Sequence, residues 1–543
     1  MLKKASLAIF ATMTLLGSSE ALAYQAQMNT FMDVGTDWAT ASIYKLSALG
    51  VISGTGNGTF QGSGVVTREA FVKMLMASSS TLSSQTTKSM SIQDVSDPAH
   101  WSYSYIQQAF SAGLLDDIIV DNRFKPSQEI TREEVAVLTG KFLLQSLTAA
   151  DRDKWLQTSW QTEKTSRAFV DGTKIKDANQ PELYYSSSLG IIVGDEQKQF
   201  RPQDSLTRKE AAAIIERVMN TAAEKHQLQG VGFYAIQSYS NVDKMSLLQD
   251  VKFGWSQLAY SGSGSASLDM KTAPFAVPDG WQAAMDKAKS YNINRKELMI
   301  YADNKDNRLS SFLTDQAAQK AFIGSVHDLL TSNNPYGFNG ISIDFEGLLK
   351  VEEQGAYTSF LRDVKSAIKG YTLSVAVPPT DWYKGYDMKQ IGQIADQVIL
   401  MAYDYTHKDS KLPSAPLPLV NDAIQTALSV IPKEKLVLGI SKQANQWITS
   451  PDGKISLENP AINLVEERAV KAGSKLEFML PYFLEQITFQ DDRGSHVIWY
   501  EDKKSIAEKM WLAKYYQLQG VSLWHMGNYN AADWDIVKQY MAP

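Results

Sequence analysis

Two carboxylates spaced two residues apart carry the clearest chemistry in this chain. The segment reads Phe338-Asn-Gly-Ile-Ser-Ile-Asp-Phe-Glu346-Gly. Alternate residues of a strand share a face. Ser342, Asp344 and Glu346 therefore point one way, and Ile341, Ile343 and Phe345 the other. Burying two carboxyl groups together raises the pKa of one of them. An acid that keeps its proton near neutral pH can donate it to a leaving oxygen. A surface strand with solvated acids is the competing reading, and the apolar residues between the acids argue against it.

Such a pair needs a rigid frame, and the residues from about Gly230 onward predict one. Short apolar runs alternate with helical stretches, the pattern of βα units around a parallel sheet. The strand candidates are Val231–Ile236, Phe253–Tyr260, Glu297–Tyr301, Gly340–Phe345, Thr372–Val377, Gln397–Tyr403, Lys435–Ile440 and Gly520–Trp524. Eight such strands within residues 228–543 predict an α/β fold, a (β/α)8 TIM barrel. The long stretch from Ser441 to Glu501, with an extra strand at Val497–Tyr500, predicts an insertion before the last strand. Glu346 then falls at the C-terminal rim, where barrel active sites are built. A doubly wound open sheet is the alternative, but no Gly-x-Gly-x-x-Gly follows the first strand to support a dinucleotide site.

The fourth strand resembles the glycoside hydrolase family 18 motif Asp-Gly-x-Asp-x-Asp-x-Glu. Asp344 and Glu346 match its last two acids, while Asn339 and Ser342 stand where the family has its earlier aspartates. Met401-Ala402-Tyr403-Asp404 is similar to the family's sixth-strand Met-x-Tyr-Asp, and Trp524 to its last-strand tryptophan. Trp499-Tyr500-Glu501-Asp502 with Gly520–Trp524 resembles the spore-cortex and peptidoglycan-acting branch. The resemblance implies a glycosidase cutting β-1,4 bonds next to N-acetylglucosamine, in peptidoglycan or a chitin-like glycan. Its mechanism is retaining and substrate-assisted, an exception to the two-carboxylate scheme. The implied catalytic residues are Glu346 as acid and base, Asp344 as partner of the acetamido N–H, and Tyr403 as donor to the acetamido oxygen. The implied substrate-binding residues are Asp404, Met401, Trp524 and Ser342. A serine at 342 is expected to hydrogen-bond Asp344 without adding charge, which shifts the pH optimum. Barrel packing is the competing reading for Met401, Tyr403 and Trp524. Trp382 and Trp447 read equally as cleft walls or loop anchors, and no direct role is expected for His407. No metal or organic cofactor is implied.

Upstream, the sequence repeats itself. Thr67-Arg68, Thr131-Arg132 and Thr207-Arg208 each open an apolar helical pattern, with Phe60, Phe124 and Phe200 ahead of them. Gly50, Gly113 and Gly190 each suit the end of a preceding helix. Thr131 with Glu134, and Thr207 with Glu210, have capping-box spacing. Ala70 occupies that place in the first repeat, which predicts a weaker cap. Capping does not explain three arginines, and an arginine can hold an anionic group bidentately. These units resemble the all-α S-layer homology domain, as repeats at 29–78, 92–147 and 168–220. The resemblance implies binding of a pyruvylated secondary cell-wall polymer through Arg68, Arg132 and Arg208.

Composition sets the remaining bounds. A chain of 543 residues exceeds one ordinary domain. A net charge of -6 argues against a nucleic-acid binder. The absence of cysteine excludes disulfides, thiolate metal sites and cysteine nucleophiles. Lys3-Lys4, the apolar run to Leu16 and Ala21-Leu22-Ala23 read as a signal peptide over 1–23. No later run is long enough to span a bilayer. The expected protein is thus secreted and wall-bound, on the surface of a Gram-positive bacterium. A catalytically inactive glycan-binding or surface-layer structural protein is the rival reading.

Overall fold

The computed structural model describes residues 30–79, 90–235, 238–379, 383–406 and 413–542. The expected signal at 1–23, and Trp382 and His407, lie outside the described residues.

Each N-terminal repeat pairs two helices across a glycine-ended turn. They are Thr40–Ala48 with Arg68–Ala77, Tyr103–Ser111 with Arg132–Leu144, and Gln180–Ser188 with Arg208–Glu224. Gly50, Gly113 and Gly190 have φ of 70°, 69° and 69°, the left-handed conformation that ends a helix cheaply only with glycine. Thr131 and Thr207 form complete capping boxes, and Thr67 caps alone by accepting from Ala70 N–H. Phe60, Phe124 and Phe200 are fully buried. Their backbone N–H groups donate to Asp33, Asp94 and Asp171, so the three repeats share one construction. A helical segment over 149–167 joins the second and third repeats. Its Trp155 indole donates to Pro181 O, and Trp160 stacks on Tyr184.

The eight expected barrel strands all form, and they close. Numbered along the chain, they are β1 (Gln229–Tyr234), β2 (Asp250–Gly262), β4 (Arg295–Ala302), β5 (Gly340–Phe345), β6 (Thr372–Val377), β7 (Gln397–Leu400), β8 (Leu436–Ser441) and β14 (Gly520–Trp524). All neighbours are parallel, and β1 pairs with both β14 and β2 to complete the barrel. The strand β3 (Ser265–Asp269) returns antiparallel along β2. The insertion lies within the expected bounds but holds more than the one expected strand. It holds β9 (Asn445–Thr449), β10 (Ile455–Glu458), β11 (Lys475–Met479), β12 (Leu484–Asp491) and β13 (Gly494–Tyr500) in one antiparallel sheet.

The barrel interior is stratified. At the bottom the fully buried Lys252 pairs with Glu297, and Ser374 accepts a second bond from the ammonium at 3.0 Å. Above lies an apolar plug of Val231, Phe233, Phe275, Met299, Ile399 and Val437. Asp344 and Glu346 sit above that level, since Ser342 registers with Met299 and Asp344 with Tyr301. On the outer face, Phe345 packs with Phe312, Phe322 and Phe360 under the helices.

The bundle of repeats packs on the barrel helix Lys503–Tyr515. Lys45 lies 2.9 Å from Glu508 and 3.5 Å from the Trp511 ring centre, and Tyr515 O–H donates to Ser78 O.

Candidate active site

The alternation of β5 aims its polar face inward as expected, and the chain beyond it rises to the rim. Glu346 N–H still donates to Ala302 O, which fixes the residue just past the strand. Gly347 follows at φ 86°, with Asn304 where a Cβ would lie only 3.0 Å away. Asn304 in turn donates to Gly347 O. This close approach requires glycine and locks the turn carrying Glu346.

The expected strand over 397–403 ends instead at Leu400. Ala402 N–H turns back to Leu400 O and Tyr403 N–H to Met401 O, tight turns that replace the ladder. Asp404 then takes φ 61°, a strained value for a residue with a side chain. Ser414 holds it by accepting from its N–H at 3.0 Å and donating to its carboxylate. The outcome is that Met401, Tyr403 and Asp404 all line one cavity with Glu346.

That cavity, of about 200 Å³, is also lined by Asp303, Asn304, Pro378, Pro379, Tyr383 and Tyr386. Its electrostatics are unusual. Burial pushes the Asp344 carboxyl up to about 7. Glu346 is pushed well above its usual range, first by burial and then by the charges of Asp344, Asp404 and Asp303. Asp404 opens to the cleft, yet its enclosing walls raise its carboxyl, partly offset by the Ser414 bond. Burial, then Asp344, Asp404 and Glu346, keep the Tyr403 hydroxyl protonated. The site therefore sets two carboxyls, both raised from their usual range, beside a phenol that keeps its O–H.

Ser342 behaves differently from expectation. Ser342 Oγ is buried without a hydrogen-bond partner, and so is Asp344 Oδ1. The expected Ser342–Asp344 bond is not formed, because successive inward residues stack along the barrel axis rather than touch. Asn339 lies at the opposite end of β5, where its amide bridges Asn294 O and Lys296 N–H at 2.7 Å each. It does not reach the cavity. Trp524 sits on the apolar plug, its ring edge-on to Phe233 with centres 5.3 Å apart. Trp447 is buried and packs with Leu484 and Trp499, so it anchors the insertion and forms no cleft wall.

Asp303, Asn304, Tyr383 and Tyr386 had not been singled out in the sequence. Asp303 follows the end of β4, and any polar residue just past a barrel strand is a candidate. Tyr386 gave no such signal. It comes from a loop and is placed by its O–H donating to Phe345 O at 2.6 Å.

The three arginines do not converge. Each spans a junction between repeats in a cycle. Arg68 donates to Phe124 O and forms a two-pronged pair with Glu134. Arg132 donates to Phe200 O and Val193 O. Arg208 donates to Phe60 O and Ser53 O, closing the ring.

A closed parallel barrel thus carries these carboxyls at its C-terminal rim, where barrel active sites are built. The model for glycosyl hydrolases family 18 matches residues 229–528, and the chain belongs to that family. The S-layer homology domain matches residues 30–72, 96–136 and 168–212, and the chain carries three of them. The cortical fragment-lytic enzyme of Bacillus anthracis is 29% identical over 263 residues, 45% of this chain and 60% of that protein. The enzyme of the same description from Bacillus cereus is 30% identical over 233 residues, 40% of this chain and 52% of that protein. The chain thus spans little more than half the length of these relatives. Among solved structures, a C-terminal domain from Desulfitobacterium hafniense DCB-2 is 18% identical, with TM-score 0.50. It covers 59% of this chain and 100% of its own, a likeness of fold.

Proposed function

We propose that the chain is a wall-bound glycosidase that cuts β-1,4 bonds next to N-acetylglucosamine in peptidoglycan. The observation that carries this reading is Glu346, raised and lining one cavity with Tyr403 and Asp404, with the raised carboxyl of Asp344 buried two residues before it on the same strand face. Glu346, raised well above its usual range, gives its proton to the leaving glycosidic oxygen. The sugar's 2-acetamido oxygen attacks the anomeric carbon in place of a protein nucleophile. Asp344 accepts the acetamido N–H and stabilises the positive charge that develops on that group. Tyr403 donates to the acetamido oxygen and aims it. Water, deprotonated by Glu346, then opens the cyclic intermediate and returns the configuration. Asp404 and Met401 hold the sugar at the cleft, and Trp524 supports it from the plug. This chemistry uses side chains and substrate groups throughout.

The three S-layer homology domains support attachment to a cell-wall polymer, and the Bacillus relatives support a Gram-positive surface. Export fits the sequence over 1–23. Proximity favours peptidoglycan over chitin, as do the names of the relatives.

The test is digestion of peptidoglycan and of chitin oligomers, separately, with new reducing ends identified by mass spectrometry. Cleavage by the full chain and not by Glu346→Gln supports the reading, and the preferred glycan names the substrate. Binding without cleavage by both would leave a glycan-binding protein. The unpartnered Ser342, where the family has an aspartate, is the observation favouring that second outcome.

A further inference from the structure

The repeats and the barrel are joined with almost no linker. The last bundle helix ends at Glu224 and β1 begins at Gln229, which leaves only residues 225–228 between them. That connection is itself held. His226 Nε2 donates to Leu518 O at 2.6 Å, and Leu228 is buried. Domains on a flexible linker move independently by default. So short and pinned a connection removes that freedom.

The interface beside it is specific. Lys45, from the first repeat, is 6% exposed although it carries a charge. Its ammonium lies 3.6 Å from Glu216 of the third repeat and 2.9 Å from Glu508 of the barrel, with the Trp511 ring centre 3.5 Å away. A desolvated cation over an indole face is stabilised only while its carboxylates stay in place. Trp511 stacks on Tyr515 with ring centres 5.4 Å apart, and Tyr515 O–H donates to Ser78 O at 2.7 Å. Swinging the bundle away would uncover the Trp511 face and break the pair of Lys45 with Glu508.

The same contacts fix a direction. Parallel strands need a crossover, so each barrel helix runs back to the floor and ends beside the start of the next strand. Helix Lys503–Tyr515 leads into β14, and helix Leu417–Leu428 leads into β8. The bundle meets the first helix over its C-terminal half, at Glu508, Trp511 and Tyr515. It meets the second at its end, where Leu428 and Ser429 share a cavity with Leu49. These are floor-side positions, whereas Glu346 lines its cavity at the opposite rim.

The bundle has a direction too. The helices Arg68–Ala77, Arg132–Leu144 and Arg208–Glu224 all bring their C-terminal turns to the barrel. Ser78, Leu143 and Lys225 line one cavity there with Tyr515 and Gln517. Their starts lie about 15–25 Å away at 1.5 Å per residue, on the end of the bundle left free.

We propose that the bundle and the barrel form one rigid body in which the catalytic cleft faces away from the free end of the repeats. A chain held to the wall by that end presents its cleft to glycan beyond its anchor, and strands beside the anchor are out of reach. The consequence for cleavage rests on the wall-attachment and glycosidase readings, while the rigid body stands on the interface alone.

The chain has no cysteine, so two spin labels can be placed selectively on the full chain. Ser127→Cys marks the free end of the bundle and Lys350→Cys the rim past Glu346, both at exposed positions. Pulsed dipolar spectroscopy should give one narrow distance distribution. It should centre at roughly 40 Å or more, from the lengths of one bundle helix and one barrel strand. Glu508→Lys sets two cations against each other across the interface and should broaden the distribution. Adding Lys45→Glu to that variant restores opposite charges and should narrow it again. A broad distribution in the labelled parent would overturn the rigid body, and a narrow one far shorter would overturn the outward-facing cleft. On wall sacculi, glycan release by the parent should level off below that by Glu508→Lys, whose freed barrel can turn toward its anchor. Equal release, with equal cleavage of soluble oligomers, would overturn the limit on reach. A parent that neither binds sacculi nor cuts oligomers would remove the wall-attachment and glycosidase readings, and the distances would still decide the rigid body.

Discussion

The barrel rim and the repeat junctions both bury charge, and they treat it in opposite ways. At the junctions, Arg68 is matched by a carboxylate and a carbonyl, and Glu133 by three donors. At the rim, Asp344 is buried with an unpartnered oxygen and its carboxyl is raised by that burial, and Glu346 is raised by burial and by the charges of its acidic neighbours. Satisfied charges hold a fold together, whereas buried acids left without partners destabilise it and hold protons for chemistry. The interior of the same barrel repeats the contrast: Lys252 and Glu297 neutralise each other two layers below the acids.

Substitutions at the two kinds of site should therefore separate activity from stability. Asp344→Asn should lower kcat by roughly 10²–10⁴-fold, since the proposed mechanism needs a carboxylate there to accept the acetamido N–H and balance its charge. It should also raise thermal stability above neutral pH. The folded carboxyl titrates near 7 and the unfolded one near 3.8, so the parent is least penalised at acid pH and loses stability as pH climbs through that window. Melting curves at pH 4 and pH 8 check this: the variant's advantage must appear only at the higher pH. Lys252→Met strands Glu297 in the barrel floor and should cost about 3–5 kcal/mol, read by denaturant unfolding. Tyr403→Phe should reduce kcat by about 10²-fold, the usual loss for one oxygen-stabilising donor, while leaving the melting temperature near that of the parent. Ala70→Glu should have the smallest effect on the fold, a gain of roughly 0.5–1 kcal/mol from the completed cap.

The barrel strands could be read from the sequence because each is a short apolar run between helical patterns, and Gly340–Phe345 and Thr372–Val377 match to the residue. The acids of β5 declared themselves by period-two alternation. The insertion was mostly hidden, with only Val497–Tyr500 foreseen. Strands such as Ile455–Glu458 and Lys475–Met479 are largely exposed, so burial imposes no apolar pattern on them. The shortened β7 was missed because Met401-Ala402-Tyr403 looks like a strand, and backbone turns rather than side-chain periodicity end it. The pairing of Lys252 with Glu297 gave no signal, since a lone charged residue in a strand does not reveal which charge it meets across the sheet. The arginines were correctly placed at helix starts, but their cyclic contacts with the next repeat's phenylalanine carbonyl depend on a symmetry that only the assembled bundle shows.

The most direct measurement is activity and melting temperature of Glu346→Gln, taken on the same preparation at pH 7. Removing a buried acid that is crowded by Asp344, Asp404 and Asp303 should abolish glycan cleavage, by at least roughly 10²-fold. It should also leave the melting temperature unchanged or raised. A variant that still cleaves would remove Glu346 from the chemistry, and one that loses activity only because it unfolds would make the rim acids structural, like those of the junctions.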